Sequence, residues 1–293
     1  MTSFNFIQST HRHRKISLND WWLYVVLGVI FIISFYPFFY VFSLAVMPYD
    51  EYVRRSVHIG PAGFTLTYFI EILKDPRLLN GFKISILKTV IGTALNVWAT
   101  TMAGYALSRR LKFGRFFNLL FLVPMFFSGG LIPYFLVIRG LGLLNTFWVL
   151  VIPGLVASFQ LFMVRAYFGD YPQEIIEAAK MDGAGQFRIF WHIVWPTSTP
   201  IIATIALLYG TGHWNDYFWP SILVSSDLFP ATVILQNIVS NRSMLQGLGL
   251  GTQLTPQSFI AAVAAILIIP VLVAYPYLQR YVVKGIMLGS LKG

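Results

Sequence analysis

The sequence predicts an all-α integral membrane protein of six transmembrane helices, with a short cytoplasmic helix between the fourth and the fifth. Three observations carry that expectation. Of the 293 residues, 57% are hydrophobic and only 11% are charged, against about 25% charged in an average soluble domain. Apolar runs of roughly 20 residues, enough to cross the hydrocarbon core as helices, recur six times. The basic residues that give the formal charge of +10 gather at the ends of those runs, a pattern of membrane topology rather than of a nucleic-acid face.

The six runs are 21–47, 85–107, 116–138, 147–168, 199–224 and 258–281. The first is too long for a signal-peptide core and has no convincing cleavage site, so it reads as a retained anchor. Arg12, Arg14 and Lys15 precede it, and Arg109, Arg110, Lys112 and Arg115 fill the second connection. Arg165, Lys180 and Arg188 lie at the fourth, and Arg280, Lys284 and Lys292 follow the last. With six spans these clusters share one side. The opposite side has Arg139, Arg242 and a first loop in which Arg54, Arg55, Lys74 and Arg77 are offset by Asp50, Glu51, Glu71 and Asp75. The excess of lysine and arginine marks the cytoplasm, so both termini are expected there, in a multi-pass membrane protein. The expected organisation is a cytoplasmic segment 1–20, a membrane domain 21–281 containing a cytoplasmic loop 170–196, and a cytoplasmic tail 282–293. The loops 48–82 and 225–257 are expected to be external caps with short helices. There is no cysteine, which excludes disulfides and thiolate metal sites.

The loop from Tyr171 is a polar, helix-capable island. Pro172 suits a first helical turn, and Glu174 and Glu177 favour the N-terminal end of the helix dipole. Ala178, Ala179 and Lys180 are good helix formers, and Gly183 stands where the helix would stop. A second short helix is expected over 184–192, with Phe187, Phe190 and Trp191 at helical spacing. Small Ala178 and Ala179 would admit a partner surface closely, with Glu177 and Asp182 as acceptors for its donors. Composition alone fits an amphipathic helix on the inner leaflet equally well.

Inside the runs, polar residues are few. Asp216 is the one acid, and an ionisable residue within a span is a candidate functional group, although it could instead cap a helix or pair with a nearby lysine or arginine. His213, Trp214, Asn215, Asp216, Tyr217 and Trp219 lie toward the external end of the fifth run. Flat rings with polar tips suit sugars, although an interfacial belt or helix packing accounts for the aromatics as well. Lys88 is placed where it can snorkel to the interface. Gly92, Ala99, Ala103 and Gly104 read as small-residue packing, and Asn96, Thr93, Thr100 and Thr101 as interhelical hydrogen bonding. Pro124, Gly129, Gly130 and Pro133 should bend or break the third run. No Gly-rich phosphate loop is present, His11 and His13 have no matching ligand set, and no carboxylate pair is placed for acid–base work. No catalytic residue, metal site or resident cofactor is therefore expected. An ion-coupled secondary transporter would show more intramembrane charge and a repeat. An enzyme acting on lipid-linked sugar would need an acidic or metal constellation in the cytoplasm.

The order of residues separates these readings. Glu177-Ala178-Ala179 with Asp182-Gly183-Ala184, Phe190, Ile193, Pro196 and Pro200 resembles the coupling motif of permease subunits of binding-protein-dependent ABC importers. Ile132-Pro133-Tyr134, Leu141-Gly142-Leu143 and Asn145-Thr146 are similar to that family's connection between the third and fourth spans. Trp214 to Pro220 resembles the fifth-span motif of its carbohydrate branch. Gln279-Arg280-Tyr281, Lys284-Gly285, Gly289 and Lys292-Gly293 are similar to the tail of the MalG-like, maltose-type permease. Met125 to Pro133 and Gly212 to Asn215 resemble most the permeases for polysaccharide fragments such as aldouronate or alginate, while Asp216 to Pro220 follows the maltose-type pattern.

The resemblance implies a type I ABC importer permease that moves an oligosaccharide, acidic polysaccharide fragments included; a permease for a non-sugar ABC substrate is the alternative. It implies that Glu174, Glu177, Ala178, Ala179, Asp182, Gly183 and Ala184 couple to an ATPase, and that a substrate path runs by residues 213–219. The implied partners are a second permease subunit, two ATP-binding cassette subunits that hold ATP and Mg, and a solute-binding protein. Lipid surrounds the chain, and nucleic acid plays no part. The glycines of the tail would permit an extended path into the ATPase dimer.

Overall fold

The computed structural model describes residues 21–55, 60–109, 113–247 and 257–290. The basic residues expected before the first span, Arg110 and Lys112, and Lys292 and Gly293 lie outside the described residues. Every regular element described is helical.

Helix α1 (Trp21–Ala45) is apolar on all sides. It is exposed along most of its length and buried only at Ser43, Leu44 and Ala45. A helix without a polar face belongs in lipid, and α1 rests against α14 (Gln257–Ser290). Two short helices, α2 (Tyr49–Arg54) and α3 (Thr67–Lys74), make up the first cap.

Helix α4 (Pro76–Ser108) is the centre of the fold and packs against α7 (Ser158–Gly169) and α11 (Thr199–Asn215). Its start is fixed locally. Asp75 Oδ1 accepts from the Arg77 backbone N–H at 2.8 Å, Pro76 opens the first turn, and Arg77 Nη2 reaches Asp75 Oδ2 at 3.0 Å. The Arg77 guanidinium holds the Asp75 carboxyl below its ordinary pKa. At 1.5 Å per residue the 33-residue helix is about 50 Å long. That exceeds the roughly 30 Å hydrocarbon core, so α4 begins well before the expected start at 85. Close helix contact needs its glycines: a Cβ at Gly104 would stand 2.6 Å from Val164 Cγ1.

The expected third span is not one helix. It divides into α5 (Gly114–Phe126) and α6 (Leu131–Gly140) at Phe127–Gly130, and Gly130 has φ +81°. The fourth also departs from expectation. Two 3₁₀ turns, Phe147–Leu150 and Ile152–Gly154, precede α7 and meet it at 48°, because Pro153 and Gly154 do not continue a helix. The fifth ends at Asn215, well before 224, and a separate short helix, α12 (Phe218–Leu223), follows. The second cap contains α13 (Ala231–Gly247), longer than the short helices expected. Helix α14 runs on to Ser290, so the chain from 282 to 290 is helical rather than extended.

Among the described residues, three helices are long and apolar enough to cross a membrane unaided, and the two bent pairs bring the number to five. Helices α5 and α6, of 13 and 10 residues, are each too short to cross alone.

Candidate functional site

Two places gather the residues singled out by sequence. The first is α8 (Gln173–Met181) with α9 (Gln186–Ile189). Pro172 is the residue before α8 rather than its first turn. The helix ends as Gly183 predicts. Gly183 has φ +78°, its N–H donates to the Lys180 carbonyl at 3.0 Å, and Ala184 N–H donates to the Ala179 carbonyl at 2.9 Å. These two bonds form the Schellman stop, which favours glycine in the left-handed position.

Ile176 and Ala179 are buried among Phe168, Ile189, Phe190 and Val194. Ala179 therefore seats the helix on the bundle and does not offer an approach surface. Glu174, Glu177, Ala178, Asp182 and Gly183 face outward, with Ala184 half-buried and Met181 89% exposed. Among the described residues, no ion pair engages Glu174, Glu177 or Asp182.

The end of α4 grips this element from both sides. Arg109 Nη1 donates to Gln173 Oε1 at 3.3 Å, and Tyr105 OH donates to Gln186 Oε1 at 3.3 Å. The Tyr105 ring packs 5.0 Å from Phe190 and 5.8 Å edge-on to Phe168, with the Arg109 guanidinium 4.6 Å from its centroid. The second short helix stops at Ile189 and widens into a π-helical turn, Phe190–Val194, before α10 (Trp195–Thr197). This rod meets α11 at 82°. With α11 upright in the bilayer it runs along the surface, with Phe187 and Trp191 stacked parallel and exposed.

The second place is the elbow between α11 and α12. Asp216 Oδ2 accepts from Lys88 Nζ at 2.6 Å, and Lys88 is fully buried. Lys88 therefore does not snorkel outward: the nearby carboxylate provides the countercharge that burial of a lone cation lacks. Asp216 Oδ1 also accepts from Trp219 N–H at 3.4 Å, and Thr232 Oγ1 donates to the Asp216 carbonyl at 3.2 Å. One carboxylate thus ties α4 to the start of α12.

Below it, His213 Nε2 lies 3.4 Å from Asn96 Oδ1, and Asn96 Nδ2 donates to the Gly154 carbonyl at 2.7 Å. Tyr209 OH accepts from Ala157 N–H at 3.0 Å and pairs with Thr100 Oγ1 at 2.7 Å. The irregular 152–157 segment thus finds partners for backbone groups that a helix would have satisfied internally. Gly92 makes the contact possible, since a Cβ there would lie 2.6 Å from His213 Nε2.

A cavity of about 300 Å³ opens beside this polar seam, with His213, Asp216 and Trp219 among its lining residues. The other three candidates are placed elsewhere. Trp214 is buried and donates through Nε1 to the Leu267 carbonyl at 2.9 Å, anchoring α11 on α14. Asn215 and Tyr217 are exposed and do not line the cavity. Sequence reasoning missed Tyr134, Gln160 and Tyr209 as lining residues, and it allowed Asp216 a lysine or arginine partner without naming Lys88. The pairing had a signal: within the six runs the charged residues are Lys88, Arg165, Asp216 and Arg280, and Lys88 and Asp216 were both expected near the external ends of their spans.

A short helix held at one end of a membrane bundle, ended by Asp182-Gly183-Ala184, is the arrangement to compare with known proteins. A family described as the binding-protein-dependent transport system inner membrane component matches residues 97–287. The chain belongs to that family. It is 36% identical over 286 residues to a polygalacturonan/rhamnogalacturonan transport system permease protein, YtcP, of Bacillus subtilis (strain 168), covering 95% of this chain and 100% of the relative. Identity to Protein LplC of the same organism is also 36%, over 274 residues, with 91% of this chain and 92% of LplC covered. A solved bacterial ABC transporter involved in the import of the acidic polysaccharide alginate has a chain that superposes with a TM-score of 0.82 at 28% identity, covering 91% of this chain and 98% of that one. A chain of an alginate ABC transporter solved with an alginate pentasaccharide-bound periplasmic protein gives 0.58 at 14% identity, a likeness of fold. The protein is thus a permease component of an ABC importer and an inner-membrane protein of type I permease fold, and relatives such as YtcP are named as permeases of saccharide transport.

Proposed function

We propose that this chain forms one half of the membrane path of an ATP-driven importer for oligosaccharides released from a polysaccharide, of which pectin-like and alginate-like fragments are the class its relatives favour. A solute-binding protein delivers the fragment to an external mouth shared with a second permease subunit, and two ATP-binding cassette subunits, which carry ATP and Mg, sit beneath. Both termini and the 170–196 loop face the cytoplasm. Hydrolysis belongs to the partner subunits, since this sequence has no phosphate loop.

One observation carries the proposal. The outward face of α8 bears Glu174, Glu177 and Asp182 without ion-pair partners among the described residues, while Ile176 and Ala179 lock the same helix to the bundle. A helix so held moves as a body with α4 when a partner pulls on it. ATP binding shifts the permease between inward- and outward-facing states only by its differential affinity for the two, and this lever is how that difference reaches the spans. The residues His213, Asp216 and Trp219 at the cavity form this chain's wall of the path, and Trp214 supports that wall from behind.

The test is cross-linking from a cysteine placed at Glu177 in the complete complex, combined with substrate-stimulated ATPase in proteoliposomes. Capture of the ATPase subunit, with stimulation lost in Glu177→Lys, is expected. Uptake of sugar by vesicles holding this polypeptide alone would end the proposal.

A further inference from the structure

The two charges at the α11–α12 elbow are not equally reachable from the cavity. The Lys88 side chain has no exposure, while that of Asp216 keeps 28%. No lysine or arginine is among the residues that line the cavity. The group it presents is therefore a carboxylate whose positive partner lies behind it. That carboxylate has room for further donors. One oxygen is taken by Lys88, and among the described residues the other accepts only the long bond from Trp219 N–H; an ionised carboxylate offers about four lone-pair positions. Asn96, Gln160 and His213 add polar groups, and Tyr134 packs 4.3 Å from Trp219 to make one aromatic wall.

Acceptors facing an aromatic wall suit a ring with hydroxyl donors and an apolar C–H face. A ring bearing its own carboxylate would meet like charge from Asp216, and it could reach Lys88 only by breaking the 2.6 Å pair. We propose that this cavity is a subsite for an uncharged, hydroxyl-bearing sugar ring and that it disfavours a ring carrying a carboxylate at that position. With an acidic fragment as cargo, the acidic groups must be turned toward the opposite wall of the path or carried on other rings. The inference rests on the reading of residues 213–219 as substrate path.

The test uses the complete complex in proteoliposomes with its binding protein, probed with galacturonate and galactose oligosaccharides of equal length. The readout is the acidic-to-neutral ratio of substrate-stimulated ATPase, and comparing that ratio between variants cancels the binding protein's own preference. Gln160→Lys places a reachable cation in the cavity and leaves the Lys88–Asp216 pair intact; its ratio is expected to rise by about tenfold or more. Gln160→Glu is expected to lower it. Should Gln160→Lys not assemble, the double variant Lys88→Met with Asp216→Leu removes the acid without stranding the cation, and its ratio is expected to rise. A ratio that stays at the wild-type value in the variants that assemble overturns the charge preference. Trp219→Leu separates the two claims: it should lower stimulation by both probes together. If it lowers both while the ratio ignores position 160, only the charge preference fails. If Trp219→Leu and His213→Leu both leave stimulation at wild type, the substrate-path reading fails as well.

Discussion

The carboxylates of the α11–α12 elbow and of α8, which meet α4 at two levels, have opposite fates. At the elbow, Asp216 is answered from within the chain by a lysine 128 positions away, and its second oxygen turns to the backbone of α12. On α8, Glu174, Glu177 and Asp182 stay exposed, with no ion pair among the described residues. The difference separates an acid that holds the bundle together from acids that, on the function proposed above, are left for another chain. Asp75 is intermediate: a carboxylate at the start of α4 answered two residues away by Arg77. In a membrane protein the depth of an acid thus decides whether its partner is internal, because a lone charge is tolerable in water and very costly in the interior.

The sharpest way to break this contrast is Asp216→Ala. It leaves the buried Lys88 cation without its partner and should cost about 3–5 kcal/mol, read as a large drop in the detergent unfolding temperature. The neutral double variant Lys88→Met with Asp216→Leu should recover most of that loss, and equal instability of the two would show that the pair's charge is not what matters. Next is Gly92→Ala, whose Cβ would crowd His213. About 1–3 kcal/mol is expected from overpacking, and an unchanged unfolding temperature would mean the ring has slack there.

At the other end, Gly183→Val forces a β-branched residue to φ +78°, a penalty of roughly 1–2 kcal/mol confined to the end of α8. Membrane insertion should be normal and ATPase stimulation reduced. Smaller still is Asp75→Ala, about 1 kcal/mol through the lost helix cap. Because Arg77 depresses the Asp75 pKa in the fold, the stability it adds is present above the usual aspartate range near 4 and lost as pH falls through the depressed value. The gap in unfolding temperature between wild type and Asp75→Ala should therefore be open at pH 7 and narrow below about pH 4. Glu177→Lys should change stability least, within about 0.5 kcal/mol, and yet abolish stimulation. A destabilised Glu177→Lys variant would place that acid with Asp216 rather than apart from it.

How much of this was legible follows the same division. The helix over 173–181 could be read in outline, because a capping glycine and helix formers act within one turn of themselves, although Pro172 stands just before it rather than in its first turn. The outward and inward faces of α8 were harder. Ala178 and Ala179 look alike in sequence, and only packing against Phe168 and Phe190 turns one of them inward. The membrane helices gave less still. Apolar residues surround a lipid-facing helix on every side, so α1 has no periodicity to show which way it faces. Breaks were legible where proline and glycine cluster, at Phe127–Gly130, but Pro153-Gly154 passed unread inside a long apolar run. Lys88 was misjudged because position alone allowed an outward reach, and its true neighbour lies on another helix.

Helix α4 carries Lys88 in its first half and Tyr105 near its far end, about 25 Å away along the axis at 1.5 Å per residue, with Arg109 just beyond and no proline inside the helix after Pro76. A shaft without a joint cannot turn at one end and rest at the other. The Tyr105 and Arg109 contacts on α8 and α9 and the Lys88–Asp216 pair are therefore expected to advance in the same stroke, and a proline placed midway, at Val97, should let each keep its own time.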